Sequence, residues 1–458
     1  MKTTFLALVL TGAQWSAFAH NDATENYVVH EWGTFTSVQG ADGVQQEWNP
    51  IITTELPTFV YDLAKPSGNP RRASTAFGAK SAFRTLQRME TPVIYFYSDR
   101  ERSVDVDVRF PQGIITEWYP QARDVGPSLM RPREWFTRID DAARKAGLQP
   151  LVHLSSLDTK KGINESVIRW MGVNISPERM PAADAPLLPT EKSGSHYYAA
   201  RETDAAVLRV SAPMNGATKQ ESEKFLFYRG VGSFTAPLQV TTGSESDCVT
   251  LRNTGPNELT GLFVLQVRGG EGRFIYVDRL PAGEDKSVKL LPGRDWTPPG
   301  ELALQIGERM RRALVGAGLY PREAAAMVNT WRDSWFEDQG LRVLYLLPRA
   351  WTDSILPLTL DPKPRELVRV MVGRAEVITP AMEWELLKQI VRYNEADPAA
   401  KQKAVAETRK LGLGRFAELA VRKVLGNTPS REFSNLAWEL LGATGKQEKE
   451  KATAVARR

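Results

Sequence analysis

An alternation of apolar and polar residues is the feature of the 458-residue sequence that most constrains its fold. In residues 103–110, apolar Val104, Val106, Val108 and Phe110 alternate with two aspartates and an arginine. Successive side chains of a β-strand point to opposite faces, so a period of two predicts a strand with one buried and one solvated face. The chain is therefore predicted to form a sheet in which this strand packs one face against the hydrophobic core and exposes the other to solvent.

Further strand patterns surround this run. Residues 27–38, 92–98 and 114–119 are rich in β-branched and aromatic side chains, which is typical of strands. A polar turn at 99–102 separates the second of these runs from the alternating segment, and this arrangement predicts a hairpin. Together these patterns predict an N-terminal β-rich domain of the β-sandwich type over residues 20–235.

Short strand patterns also recur every 8–12 residues between positions 236 and 297, with Gly-, Pro- and Asn-containing turns between them. This rhythm predicts a small sandwich. The stretch resembles the immunoglobulin-like modules of exported bacterial proteins, although it lacks paired cysteines. The resemblance implies architecture and no activity.

After Pro298-Pro299 the pattern becomes largely helical. Leu302, Ile306, Met310 and Leu314 form an apolar stripe with a spacing of four, which predicts a helix. Residues 298–378 are predicted to form a mixed α/β connecting region, 379–445 a helical bundle and 446–458 a charged tail. The expected architecture is a multidomain α+β chain, because 458 residues exceed the size of one core.

The first nineteen residues have the pattern of a bacterial leader peptide. Lys2 precedes the apolar run 5–10, and Ala17-Phe18-Ala19 places small residues at a cleavage site. We therefore expect a signal peptide over 1–19 and a periplasmic or extracellular location for the mature protein. No later segment is long and apolar enough to be a membrane anchor, so no transmembrane segment is expected after its removal.

Charge and cysteine content argue against two classes, nucleic-acid-binding proteins and disulfide-stabilised proteins. The net charge is +5, but basic and acidic residues are interleaved along the chain, which argues against a nucleic-acid surface. Cys248 is the single cysteine, so internal disulfides cannot stabilise the chain. The GxSxG, GxxxxGK[ST], GxGxxG and HExxH patterns do not occur. The sequence identifies no cofactor.

The segment His30-Glu31-Trp32 concentrates the most chemical information. Adjacent residues on a strand point to opposite faces, so at most one of His30 and Glu31 is expected to face the core. One interpretation places His30 or Glu31 in a pocket. The other, which we favour, is a core Trp32 beside a surface Glu31 and a hydrogen-bonded His30.

Glutamate precedes tryptophan at Glu31-Trp32 and again at Glu117-Trp118. Indole faces stack on sugar rings, and paired carboxylates can act as acid and base or nucleophile, so this pairing indicates a carbohydrate site. Tryptophan is abundant in the chain, and chance adjacency is the alternative. The catalytic candidates are Glu31, Glu117 and Glu202, and the ligand-binding candidates include Trp32 and Trp118.

A second dense segment is His196–Asp204, which is predicted to be a strand. Its charged residues are typical of an ion-paired edge strand. Alternatively, Arg201 serves as a clamp for a carboxylate or sulfate, with His196 beside it and Arg229 as a companion.

The predicted mature N-terminus suggests a metal site. Cleavage after Ala19 leaves His20 as the first residue, with an α-amine and an imidazole together. In this one feature the chain resembles the copper site of exported polysaccharide monooxygenases, which implies a third ligand such as His30, His153 or His196.

The sequence therefore predicts an exported protein that binds or processes an extracellular ligand, plausibly a glycan, through its N-terminal β region. One alternative is a metal- or carboxylate-dependent enzyme that uses His30, Glu31, Glu117 and His196. The other is a non-catalytic scaffold whose partner is an envelope component.

Overall fold

A computed structural model describes residues 26–50, 56–62, 84–127, 166–177, 186–191, 195–214, 217–243, 248–290, 296–395, 397–426 and 430–456. The predicted leader peptide, His20 and His153 lie outside these ranges. The strands, in chain order, are β1 (Tyr27–Gly40), β2 (Tyr61–Asp62), β3 (Gln87–Ser98), β4 (Arg102–Phe110), β5 (Gly113–Tyr119), β6 (Asp124–Pro127), β7 (Ser166–Ile175), β8 (Leu208–Met214), β9 (Ala217–Glu223), β10 (Leu226–Gly232), β11 (Leu238–Thr242), β12 (Cys248–Asn253), β13 (Leu259–Arg268), β14 (Glu271–Leu280), β15 (Asp285–Lys289), β16 (Gly340–Leu347), β17 (Leu358–Asp361) and β18 (Glu366–Ile378).

The α-helices are α1 (Pro299–Gly316), α2 (Pro321–Arg332), α3 (Arg349–Ile355), α4 (Pro380–Tyr393), α5 (Pro398–Lys410), α6 (Ala417–Leu425) and α7 (Arg431–Ala456). Two 3₁₀ segments (His196–Arg201 and Gly414–Phe416) and a π-helical turn (Asp333–Glu337) complete the described elements. The chain is mostly β with a helical C-terminal region, which confirms the coarse fold class predicted from the sequence.

The centre of the fold is a nine-stranded sheet with the order β14-β13-β16-β18-β1-β3-β10-β5-β2. Its middle pair, β1 and β18, is parallel and joins residues more than three hundred positions apart in the sequence. All fourteen residues of β1 are buried. A strand that is buried on both faces exposes none of its side chains to solvent, so its charged side chains need partners within the protein.

A second sheet has the order β17-β4-β7-β8-β9, with β6 paired to β7. It contains the alternating strand β4, in which Val104, Val106, Val108 and Phe110 are all buried as predicted. The predicted hairpin is wrong, because β3 pairs with β1 and β10 whereas β4 pairs with β7 and β17. The tight turn at 99–101 connects two sheets, since each strand buries its apolar face against a different set of neighbours.

The strands predicted to form an immunoglobulin-like module separate into two sheets. Strands β11, β12 and β15 form a three-stranded sheet. The β13–β14 hairpin instead extends the nine-stranded sheet through β16. An immunoglobulin-like sandwich is therefore not confirmed, and the large sheet draws strands from residues 20–235, 236–297 and 298–378. The boundaries of the predicted domains stay a prediction.

The helical predictions for the C-terminal half match the structure closely. Leu302, Ile306, Met310 and Leu314 of α1 are all buried, and α2 begins at Pro321. Proline at the first helical position costs no hydrogen bond, which explains why this start could be predicted. Helices α4–α7 share a hydrophobic core of their own that also contains Val38 of β1 and Trp48.

Among the described residues, no helix has the length and apolar character needed to cross a bilayer.

Candidate functional site

His30 and Glu31 lie on opposite faces of β1, and both are buried. The expectation that only one of them would leave solvent, with Glu31 at the surface, is wrong because helices and strands cover β1 on both sides. His30 Nδ1 lies 2.7 Å from a carboxylate oxygen of Glu323 at the start of α2. Glu323 also accepts hydrogen bonds from the Tyr97 hydroxyl (2.8 Å) and the Tyr320 backbone N–H (2.8 Å). His30 therefore anchors α2 to the sheet.

Glu31 is held on the other face by an arginine and a tyrosine. Its carboxylate accepts a hydrogen bond from Arg369 Nε at 2.5 Å and another from the Tyr228 hydroxyl. Arg369 also donates to Asp353 at 2.8 Å. Burial, and then the charge of Glu31, raise the pKa of the Tyr228 hydroxyl well above its usual value. One terminal nitrogen of Arg369 is buried without a hydrogen-bond partner among the described residues, but neither Glu31 nor Arg369 lines a described cavity.

We expect Glu31→Gln to lower the free energy of unfolding by about 1–3 kcal/mol, because it leaves Arg369 with a single carboxylate partner, Asp353. Chemical denaturation followed by circular dichroism measures this loss. Glu202→Gln is the matched control, since Glu202 is exposed and surface changes usually shift stability by less than about 0.5 kcal/mol. Equal stabilities of the two variants would contradict the structural role of Glu31.

The two tryptophans proposed as ligand contacts are core residues. Trp32 is fully buried and its ring lies 5.9 Å from that of Tyr95. Trp118 is 2% exposed, stacks on Tyr61 and donates its indole N–H to Gln121 at 2.8 Å. Neither indole offers a free face to a ligand.

The segment His196–Asp204 does not form the predicted strand. Residues 196–201 form a 3₁₀ helix, whose first turn is capped by the Ser195 hydroxyl accepting from the Tyr197 N–H at 3.3 Å. Such side-chain bonds to the backbone compete with strand pairing. The strand begins only at Leu208.

The charged residues of this segment point in different directions. Arg201 forms a bidentate ion pair with buried Glu223, with its shortest contact at 2.6 Å. Its Nε and Nη2 donors are therefore already engaged. Glu202 is exposed and accepts a hydrogen bond from Asn329 at 3.1 Å. His196 is also exposed, with Nε2 3.7 Å from Asp333, and it faces a large cleft.

This cleft, of about 800 Å³, lies between the nine-stranded sheet and the C-terminal helices. A row of polar side chains crosses six adjacent strands of the sheet beside it. The row consists of Arg342 on β16, Arg374 and Glu376 on β18, Thr36 on β1, Arg88 and Glu90 on β3, Arg229 on β10, and Glu117 on β5. Arg88, Glu90, Arg229 and Arg342 line the cleft itself.

Glu90 is the central carboxylate of the row. It accepts hydrogen bonds from Thr36 Oγ1 (2.6 Å) and Arg415 (2.8 Å), and Arg88 lies 3.7 Å away. Burial opposes its ionisation, but the charges of Arg415 and Arg88 outweigh burial and lower the Glu90 pKa. The pKa of Arg88 falls to about 10, mainly through burial and also through repulsion by Arg229 and Arg415. The site therefore carries a surplus of closely spaced positive charge.

Arg229 is the cation of this row whose side chain has no hydrogen-bond or ion-pair partner among the described residues, although its guanidinium lies 5.9 Å from the centroid of the Phe227 ring. Its Nε is buried, and the residue is 8% exposed. A β-bulge after Arg229 shifts the register of β10. Gly230 is required there, because a Cβ would lie 2.4 Å from the Ile114 carbonyl oxygen. Bulges of this kind re-aim side chains at functional sites.

At the other end of the row, two buried arginines share one buried carboxylate. Arg342 donates to Glu376 at 2.7 Å and Arg374 donates to it at 2.6 Å. Arg374 also lies 3.3 Å from Asp338 at the edge of the cleft. This cluster positions the segment 338–342 that forms one wall.

The structure brings together only part of the sequence-based site. His196 and Arg229 line the same cleft, and Glu117 of β5 lies opposite Arg229 in the strand register, without an ion pair between the two described side chains. Glu31 lies on the opposite sheet face, since it contacts Tyr228, the neighbour of Arg229. Sequence reasoning missed Arg88, Glu90 and Arg415. The available signal was the placement of two charges within β3, directly before its apolar run.

The predicted metal site is only partly described. His20 lies outside the described residues, and His30 Nδ1 is engaged by Glu323. No group of three or more His, Cys, Asp or Glu side chains within the described ranges is arranged to hold a metal ion.

The fold and the site define a mostly β protein whose large sheet carries a charged cleft bordered by helices. No protein family model matches the chain, and no curated protein matches it. Among solved structures, it is similar to the Fcho1 mu homology domain of Danio rerio with bound Eps15 peptide (6% identity, TM-score 0.28, 78% of this chain and 98% of that chain). It is also similar to the yeast delta-COP-I mu-homology domain complexed with a Dsl1 WxWxV peptide (8% identity, TM-score 0.23, 78% and 98%). TM-scores this low define neither a shared fold nor a shared function.

Proposed function

We propose that the protein binds an acidic ligand in the cleft beside Arg229, and that it does so outside the cytoplasm, as the leader pattern predicts. The observation that carries the proposal is the buried Arg229 guanidinium without a counter-ion among the described residues. Burying an unpaired cation is costly, so folded proteins pair such groups or use them to bind anions.

A second donor supports the same conclusion. Arg415 uses one nitrogen for Glu90, while its other terminal nitrogen is buried without a hydrogen-bond partner in the described part of the chain. Guanidinium groups bind carboxylate, sulfate or phosphate through paired N–H donors in a fixed fork. Arg229 and Arg415 therefore offer unused donors at one cleft, and both repel the neighbouring Arg88, a repulsion that a bound anion would relieve.

The alternative enzyme mechanism has less support. Its four residues, His30, Glu31, Glu117 and His196, do not share one cavity, because His30 and Glu31 are each enclosed by partners on opposite sheet faces. A scaffold role stays a prediction from the sequence.

We expect citrate, inorganic sulfate or phosphate to raise the melting temperature of the wild-type protein, because a ligand of the native state stabilises it by mass action. Arg229→Leu should abolish this rise. Without ligand, Arg229→Leu should melt no lower than the wild type, because it removes a buried, unpaired charge. Differential scanning fluorimetry measures both effects.

The matched control is Arg252→Leu, which removes an exposed arginine from β12 in the three-stranded sheet. It should keep the full response to anions. If all three proteins respond equally, the anions act nonspecifically and the proposal fails. It also fails if the wild type does not respond to any of them.

A further inference from the structure

The cleft has walls of different chemistry, and they narrow the class of acidic ligand. We infer that the ligand is an acidic oligosaccharide, in which sugar rings carry carboxylate groups. This inference rests on the proposed function, because Arg229 and Arg415 are taken to hold the carboxylate. It adds an aromatic wall and a rim of neutral and acidic hydrogen-bonding groups.

The aromatic wall comes from the helices. Trp438 of α7 is 37% exposed and lines the cleft, with the Arg422 guanidinium 5.7 Å from its ring centroid. Trp331 of α2 also lines the cleft, but its ring stacks on that of Trp335. The apolar C–H face of a sugar ring can pack against the exposed part of the Trp438 indole. An inorganic anion or a small acid such as citrate would make no use of these rings.

The rim supplies partners for hydroxyl groups. Asp333 and Asp338 are 62% and 51% exposed, and Ser334 and Gln339 lie between or beside them. Carboxylates and amides accept hydrogen bonds from sugar hydroxyls, and each carboxylate oxygen has lone pairs beyond its present contact. A polyphosphate has no hydroxyl groups along its chain and would leave these acceptors unused. The combination favours a ligand that presents hydroxyl groups beside its carboxylates.

The size of the cleft agrees with more than one sugar ring. About 800 Å³ lies near the upper end of the range of about 300–1,000 Å³ found for small-molecule sites. Arg229 is contributed by the sheet wall, whereas Arg415 and Trp438 are contributed by the helical wall. A ligand that reaches both has to extend across the cleft.

The test is isothermal titration calorimetry of the full chain with oligouronates of the pectin, alginate and glycosaminoglycan types. Their methyl esters, citrate and a nucleoside diphosphate serve as comparison ligands. We expect at least one oligouronate to bind more tightly than citrate and its methyl ester to bind about tenfold or more weakly. Trp438→Ala should weaken oligouronate binding about tenfold while leaving citrate binding unchanged.

Trp384→Ala is the matched control, because Trp384 is 67% exposed on α4 and does not line the cleft. It should bind like the wild type. The inference is overturned if no oligouronate binds more tightly than citrate, if the nucleoside diphosphate binds best, or if Trp438→Ala has no effect. Continued loss of citrate binding in Arg229→Leu would leave the proposed function standing in each case, so the two failures are distinguishable.

Discussion

Replacing Glu376 with glutamine should lower the free energy of unfolding by about 3–5 kcal/mol, because it removes the buried carboxylate that two buried arginines share. Only Arg374 keeps a carboxylate partner, the half-exposed Asp338 at 3.3 Å. The side chains of Arg342 and Arg374 are at most 1% exposed, and both donate to the same Glu376 oxygen. Burial opposes ionisation of Glu376, but the two arginines outweigh it and lower the Glu376 pKa. Chemical denaturation at neutral pH measures the loss.

The control for this variant lies on the same strand. Glu366 begins β18 and is exposed, so Glu366→Gln should change stability by less than about 0.5 kcal/mol. Because the Glu376 pKa is lowered in the folded state, its contribution is present above the unfolded pKa and is lost as the pH falls through the folded pKa. The difference between wild type and Glu376→Gln should therefore shrink in acid. A constant difference, or none, would contradict the buried triad.

Local features of the fold were predictable because they depend on short-range periodicity. The alternation in β4 and the apolar stripe of α1 each reflect which side chains share one face of an element. Sheet partners were not predictable in this way. The turn at 99–101 has the residues of a hairpin, yet β3 and β4 pair in different sheets, and β1 pairs with β18 from the far end of the chain.

The site was predictable only on its sheet side. Arg229 and His196 were named from the sequence, and both line the cleft. The helical side was missed because Trp438 lies in a helix with an ordinary amphipathic pattern and Arg415 in a three-residue 3₁₀ segment between two such helices. Only the packing of these helices on the sheet, through a core that includes Val38 and Trp48, brings the two sides together.

Charged residues inside buried strands were the strongest unused signal. Buried Arg369, Arg374 and Glu376 lie among the apolar residues of β18, and Arg88 and Glu90 precede the apolar part of β3. Charges rarely enter a strand that is buried on both faces unless they are paired or functional. Glu31 belongs to the paired class, whereas the functional role of Arg229 is our proposal, and the sequence alone does not separate the two cases.

The sequence left open whether Trp32 is a core residue or a ligand contact, and its replacement tests the two interpretations. Because Trp32 is fully buried in the central strand, Trp32→Ala should lower the free energy of unfolding by about 3–5 kcal/mol through lost burial and a residual cavity. Trp384→Ala removes an indole of the same size from an exposed position and should cost less than about 0.5 kcal/mol. Equilibrium urea unfolding of both variants measures the contrast.

Binding separates a core role for Trp32 from a ligand contact. At a temperature where Trp32→Ala remains folded by circular dichroism, it should bind citrate as the wild type does, because its ring lies among core side chains and does not line the cleft. Loss of citrate binding by a folded Trp32→Ala, with stability close to that of the wild type, would place the ligand at β1. The cleft beside Arg229 would then be the wrong site. A site at β1 predicts that Trp32→Ala loses citrate binding and keeps its stability, whereas the cleft predicts that it loses stability and keeps citrate binding.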